Sequence, residues 1–196
     1  MSHRRDTTGA RIDRRDFMLR ATTALSAAGL ASSLERPAGA EGAPKAVLAG
    51  KPRKHKTEQL TIHQDAPDII PLETGDAGSS VGDSFYFHAA LRLEPAGPEV
   101  GEVFGTKVVV KTATTQSPMV EQRITHLVFT FNDRQDQIIV AGVADYPVAG
   151  AEFGPDQPVI RAIIGGTGIF IGASGELSST RHPADGYTQV FTLLIK

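Results

Sequence analysis

Between Ile164 and Leu177 the chain reads Ile-Gly-Gly-Thr-Gly-Ile-Phe-Ile-Gly-Ala-Ser-Gly-Glu-Leu, with glycine at 165, 166, 168, 172 and 175. A helix does not carry that pattern, because each interior glycine costs about 1 kcal/mol relative to alanine. Strands do carry it, at bulges, at sharp bends and where two backbones come close. A tight turn over Gly165–Gly168 leading into a repeatedly kinked strand therefore predicts a small, strongly curved barrel. The segment constrains the fold and says little about chemistry.

Residues 1–40 read as an address. Arg14-Arg15-Asp16-Phe17-Met18 resembles the twin-arginine export signal, and Ala21 to Ala31 supplies an apolar region too short to cross a bilayer. Ala38-Gly39-Ala40 fits the small-residue cleavage pattern, which makes Glu41 the expected first residue of the exported protein. The destination is then periplasmic or secreted, reached in the folded state. Beyond Ala40 no apolar run is long enough for a membrane helix, so no stable membrane insertion is expected after cleavage.

The chain has no cysteine, which excludes disulfides, thiolate catalysis and thiolate metal sites. Of the 20 Lys+Arg and 22 Asp+Glu, seven and four lie in residues 1–40, so the remainder carries 13 basic against 18 acidic groups. That acidic balance argues against a nucleic-acid partner. Residues 41–56 form a separate Pro/Gly/Ala-rich arm with Lys45, Lys51, Arg53, Lys54, His55 and Lys56. A solvated flexible arm and a loose attachment to an anionic surface are the two readings of it.

Residues 57–196 are long enough for one core. Short β-branched and aromatic runs separated by turn signals predict an all-β barrel or sandwich, and eight strands whose last returns to the first would close an eight-stranded antiparallel barrel. The expected strands are 58–64, 83–93, 103–115, 123–132, 136–146, 159–164, 169–181 and 186–195. Asn132-Asp133-Arg134-Gln135 and Ala184-Asp185-Gly186 supply hairpin turns. Two connections, Asp65 to Gly82 and Pro147 to Pro158, exceed hairpin length, and either could cover a barrel mouth.

Several of these segments together carry a resemblance. Gly82-Asp83-Ser-Phe-Tyr-Phe-His-Ala-Ala-Leu91, the Gly101-Glu-Val-Phe-Gly105 turn, the hairpin through Asn132 and Gly165-Gly166-Thr167-Gly168-Ile-Phe170-Ile-Gly172-Ala173 occur in the order found in allene oxide cyclases. The last motif is also similar to that of plant dirigent proteins. The resemblance covers nearly all of residues 58–196. It implies a largely apolar lumen, homo-oligomers (trimers or dimers), and reactions on small hydrophobic molecules without metal or organic cofactor. The Glu-x-Asn pair of the cyclases' first strand falls on Thr61 and His63, and a third-strand cysteine falls on Lys107. With the carboxylate missing, allene oxide cyclisation itself is not expected.

With the strand phase implied by that resemblance, Thr61, His63, Phe85, Phe87, Lys107, Phe129, Phe131 and Tyr146 face the lumen. Thr61 and the four phenylalanines would form a ligand-binding box. His63, Lys107 and Tyr146 are the titratable candidates for catalysis, since burial would lower the lysine pKa and histidine titrates near neutrality. Lys107 has a second reading, with Lys111, on a solvated outer face. His63, His88, His126 and His182 lack metal-ligand spacing, so no metal site is expected. Gly165–Gly168 is not a phosphate loop, because strand formers follow it and the required lysine is absent.

Three functions fit this pattern. The first is an exported, cofactor-independent cyclase or isomerase acting on a small hydrophobic molecule. The second is a non-catalytic dirigent-like steering or carrier protein, and the third is a structural envelope module. Export should depend on the arginine pair. Replacing Arg14 and Arg15 by lysine should trap a longer precursor in the cytoplasm, whereas deleting residues 1–40 should still yield folded barrel. Normal processing of the double-lysine variant, followed by immunoblot of cell fractions, would contradict the twin-arginine reading.

Overall fold

The structure, a computed structural model, describes residues 56–75, 78–115, 119–148 and 150–195. The expected signal peptide and all but the last residue of the basic arm lie outside them. Wherever apolar and β-branched residues alternate with polar ones the chain extends, burying one face and leaving the other outward. The strands are β1 (Lys56–Gln64), β2 (Asp68–Leu72), β3 (Ser84–Arg92), β4 (Glu99–Lys111), β5 (Val120–Phe131), β6 (Asp136–Pro147), β7 (Val159–Thr167), β8 (Gly175–His182) and β9 (Gly186–Ile195). Their spatial order is β1-β9-β8-β7-β6-β5-β4-β3-β2, antiparallel throughout, and a further β1–β3 pairing closes the sheet on itself. Since β1 and β2 follow one another along the gap between β9 and β3, nine strands fill the eight positions of a barrel.

The seam is short. Only His63 with Arg92 and Gln64 with Leu91 pair across it. It is braced by Arg92, whose Nε and Nη2 donate to the Asp65 carboxylate at 3.0 and 2.8 Å and whose Nη1 donates to the Gly97 carbonyl at 2.6 Å. The Arg92 hydrogen bonds hold the Asp65 carboxyl below its ordinary pKa. Beyond this bend β2 carries Pro71, which an edge position tolerates because no ladder amide is missed there.

Inward rows of apolar residues fill one half of the barrel. Leu60, Ile62, Leu91, Val103, Phe129, Ile138, Leu177, Phe191 and Leu193 are each 2% exposed or less. Phe129 meets Phe191 edge-on at 4.8 Å, in the range favoured by aromatic quadrupoles. The glycine-rich segment closes this end. Its turn is a single 3-10 turn, Gly168–Phe170, which places Phe170 against Phe131 at 5.7 Å. The Ile169 amide donates to Asp136 Oδ1 at 2.9 Å, tying the turn to the β5–β6 hairpin.

Four expectations change. Asp68–Leu72 is a strand within a segment expected to be loop, and Gly101–Gly105 runs through β4 instead of turning. Gly165 and Gly166 are extended residues of β7, so the turn begins at Gly168 and the next strand only at Gly175. Glycine is needed at 166 for close approach, since a Cβ there would lie 2.5 Å from the Phe170 carbonyl oxygen and 2.6 Å from that of Gln137. At Gly175, φ is +140° and a Cβ would lie 2.0 Å from the Thr192 carbonyl oxygen. Finally, Thr61 and His63 lie on the face opposite Leu60, Ile62 and Gln64, which are the buried residues of β1. The expected phase of that strand is one residue out, which exchanges its two faces.

Gly166→Ala and Gly175→Ala should each lower unfolding free energy by more than ~2 kcal/mol, the scale of strain and overpacking. Gly165→Ala, where nothing lies within 4 Å of the added atom, should stay within about 0.5 kcal/mol of the parent. Denaturant titration of the three variants checks this, and equal midpoints would contradict it.

Candidate functional site

The inward rows of seven strands change from apolar to polar on passing toward the other end of the barrel, while that of β3 ends in Phe87 and Phe85. On β4, Val103 and Gly105 give way to Lys107; on β5, Phe131, Phe129 and Leu127 are followed inward by Thr125, Arg123 and Glu121. Ile138 and Val140 of β6 lead to Tyr146, Ile163 of β7 to Arg161, Leu177 of β8 to Ser179, and Phe191 of β9 to Gln189 and Tyr187. Ile62 of β1 leads to Gln64. The rows meet at a buried polar cluster lying above the apolar core.

Lys107 is 4% exposed and shares a rung with Phe85 and Thr125. Its Nζ lies 4.6 Å from the Phe87 ring centre and 5.5 Å from that of Tyr146, and it donates to the Ala151 carbonyl at 2.7 Å. The Phe87 ring occupies the space over Gly105, where a Cβ would come within 2.1 Å of it. Burial lowers the Lys107 pKa to about 7; Arg123 pushes it further down and Glu152 opposes. Lys111, which shared the outer-face reading, is exposed.

Arg123 is fully buried. Its Nε donates to Glu121 Oε1 at 2.6 Å, its Nη1 to the Ala151 carbonyl at 3.2 Å and its Nη2 to the Gly150 carbonyl at 2.7 Å. The guanidinium stacks 3.9 Å from the Phe85 ring centre. Glu121 also accepts from the Ser79 hydroxyl, so residue 79, ahead of β3, reaches the same cluster. Removing either member of a pair this buried leaves an uncompensated charge, a loss of about 3–5 kcal/mol.

Arg161 runs over Gly142, where a Cβ would meet its Cγ at 3.0 Å. It donates to the Tyr146 hydroxyl at 3.0 Å and to Ser179 Oγ at 3.4 Å. Tyr146 also shares a hydrogen bond of 3.2 Å with Thr125. Ser179 donates to Gln189 Oε1 at 2.6 Å, and the Gln189 amide donates to Gln64 Oε1 at 2.7 Å.

The segment between β6 and β7 closes this end, as the length of the Pro147–Pro158 connection suggested. Phe153, 6% exposed, inserts between Tyr146 and Tyr187 at ring distances of 6.1 and 5.5 Å. Beside it Glu152 pairs with Arg181 at 3.0 Å and accepts from the Tyr187 hydroxyl. Burial and that hydrogen bond hold the Tyr187 phenol well above its ordinary pKa. Against Phe153 lies a half-open pocket of about 20 Å³, lined among others by Lys107, Tyr146, Arg161 and Gln189. That is room for a single water, so a larger guest needs a lining side chain such as Phe153 to move aside.

Of the residues singled out from sequence, Phe85, Phe87, Lys107 and Tyr146 meet at this polar end. Phe129 and Phe131 lie in the apolar half instead, and Thr61 and His63 face away from both. Arg123, Thr125 and Glu121 went unread although they share the phase of Phe129 and Phe131. Gln189 and Tyr187 likewise share that of Phe191. Phe153 carries no signal of its own beyond standing apolar in a long polar connection.

No protein-family model and no curated protein sequence matches the chain. Solved structures do. A pyocyanin demethylase superposes with a TM-score of 0.54 at 21% identity, covering 69% of this chain and 98% of its own. A pterocarpan synthase dirigent protein matches with a TM-score of 0.51 at 16% identity, covering 80% and 98%. A Diels–Alderase from Streptomyces koyangensis matches with a TM-score of 0.51 at 17% identity, covering 75% and 71%. At these identities the likeness is one of fold, and the chain has an eight-stranded antiparallel barrel of the allene oxide cyclase and dirigent type.

Proposed function

We propose that this chain is an exported barrel that takes a small, largely apolar molecule into the Lys107 end of its lumen. The observation that carries the reading is a buried polar cluster with aromatic walls, closed by one segment of a long connection. A packed structural core would gain stability by filling that end with apolar side chains, because buried polar groups must each find partners to break even. Pockets that combine apolar walls with a few convergent polar groups are the usual form of a small-molecule site. The named activities of the similarly folded proteins, a demethylase, a dirigent protein and a Diels–Alderase, fit a lumen used in this way.

Withdrawal of Phe153 is the step this reading requires. A neutral naphthalene fluorophore should bind the Phe153→Ala variant at least tenfold more tightly than the parent, at one site per chain. Equal affinity in the two proteins, measured by fluorescence titration, would contradict it.

A catalytic reading, cofactor-independent isomerisation or cyclisation, is favoured by Lys107. With a pKa of about 7 it is partly neutral near pH 7 and able to take a proton from a bound molecule, beside the Tyr146 ring. Its titration has a stability signature. Between about 7 and the ordinary lysine value of 10.5 the unfolded chain holds the proton and the folded chain releases it. Stability therefore rises with pH through that window, and the full burial penalty is present below it. The unfolding free energy of the parent, measured against Lys107→Met, should shift in the parent's favour from pH 7 to pH 9.5. A difference that does not change with pH would contradict the lowered pKa.

A further inference from the structure

The polar half of the lumen holds more positive charge than its carboxylates answer. Arg123 is paired with Glu121, and Arg181 with Glu152. Neither Lys107 nor Arg161 forms an ion pair with any described carboxylate. Arg161 is 3% exposed, and among the described residues its terminal nitrogens reach only the neutral hydroxyls of Tyr146 and Ser179 and its Nε has no acceptor. A guanidinium stays protonated under all ordinary conditions, so it cannot escape this burial by losing its charge.

The plug supplies a partial answer. The Ala151 carbonyl accepts from Lys107 at 2.7 Å and from Arg123 at 3.2 Å, and the Gly150 carbonyl accepts from Arg123 at 2.7 Å. A neutral carbonyl gripped by two cations stands where an anionic oxygen would be held more strongly, since charge-assisted hydrogen bonds are about twice as strong as neutral ones. Phe153 enters with the same segment, its ring 5.6 Å from the Arg161 guanidinium. Together the segment presents acceptor oxygens to the cations and an aromatic ring to the walls, the two parts of an aromatic acid.

We propose that the lumen takes an aromatic or similarly apolar monocarboxylate, its carboxylate seated between Lys107 and Arg161 and its body in the space Phe153 fills. This rests on the small-molecule reading above and adds the charge of the ligand. One carboxylate suffices, because among the described residues Arg161 is the only permanent cation of the cluster left without a counterion. Phe87, Leu127, Tyr146 and Tyr187 supply walls for a flat apolar body.

Benzoate and benzamide, equal in shape and different in charge, test this on the Phe153→Ala protein by calorimetric titration. Benzoate should bind at least tenfold more tightly than benzamide. Adding Arg161→Gln should bring the two affinities together without lowering the melting temperature, since a buried charge without a partner is removed. Adding Arg161→Lys should keep the preference for benzoate. Equal binding of benzoate and benzamide would overturn the proposal while leaving the lumen a small-molecule site. Binding of neither, with no uptake of the neutral fluorophore, would overturn both. A preference that survives Arg161→Gln would overturn the assigned seat.

Discussion

Two guanidinium groups, those of Arg123 and Arg161, are enclosed in a barrel where neither can shed its charge, and the polar half of the lumen is arranged around them. Glu121, Tyr146, Ser179 and the carbonyls of residues 150 and 151 all turn toward one or the other. Lys107, set among the same cations, loses its proton more readily than a solvated lysine because burial and neighbouring charge act in one direction. The apolar half needs no such arrangement. It is packed with aliphatic and aromatic side chains and sealed by Phe170. A barrel closed at one end by its core and at the other by a single inserted ring concentrates all its adaptable chemistry at that second end.

The barrel was legible because its signals are local. Alternation in β5 and β6, the Asn132–Gln135 hairpin and the glycine-rich segment each point to the same architecture. Where the turn lies within that segment was not legible: Gly165 and Gly166 belong to an extended strand, Gly166 serving close backbone approach, while the left-handed torsions fall at Gly168 and Gly172 with φ of 59° and 77°. β2 escaped notice because five residues with a proline show no alternation and pair on one side only.

The site was legible in part, and the reason is instructive residue by residue. In β1 a register taken from the resemblance placed Thr61 and His63 inward, where the structure buries Leu60 and Ile62. One residue of slip exchanged the faces, so Gln64 was missed. In β5 the phase was right, with Phe129 and Phe131 inward, and the same phase brings Arg123 in. It went unread because charged side chains default to solvent, and nothing in one strand reveals that Glu121 waits two residues away to pair with it. Phe153 and the carbonyls around it depend on where a long connection folds back, which no local pattern encodes.

The central claim is that the Phe153 segment is a plug that opens while the barrel stays folded. Native-state hydrogen exchange measures this directly. The Gly150 amide, bonded to the Pro147 carbonyl at 2.9 Å, and the Asp156 amide, bonded to the Arg181 carbonyl at 3.0 Å, report on the plug. The amide of Phe129, within the β5 ladder, reports on the barrel. The account predicts that Gly150 and Asp156 exchange through a local opening far cheaper than global unfolding, insensitive to denaturant, while Phe129 exchanges only with the whole barrel. Exchange of all three amides with one common free energy and one denaturant dependence would mean that the segment is part of the core and that the lumen does not open.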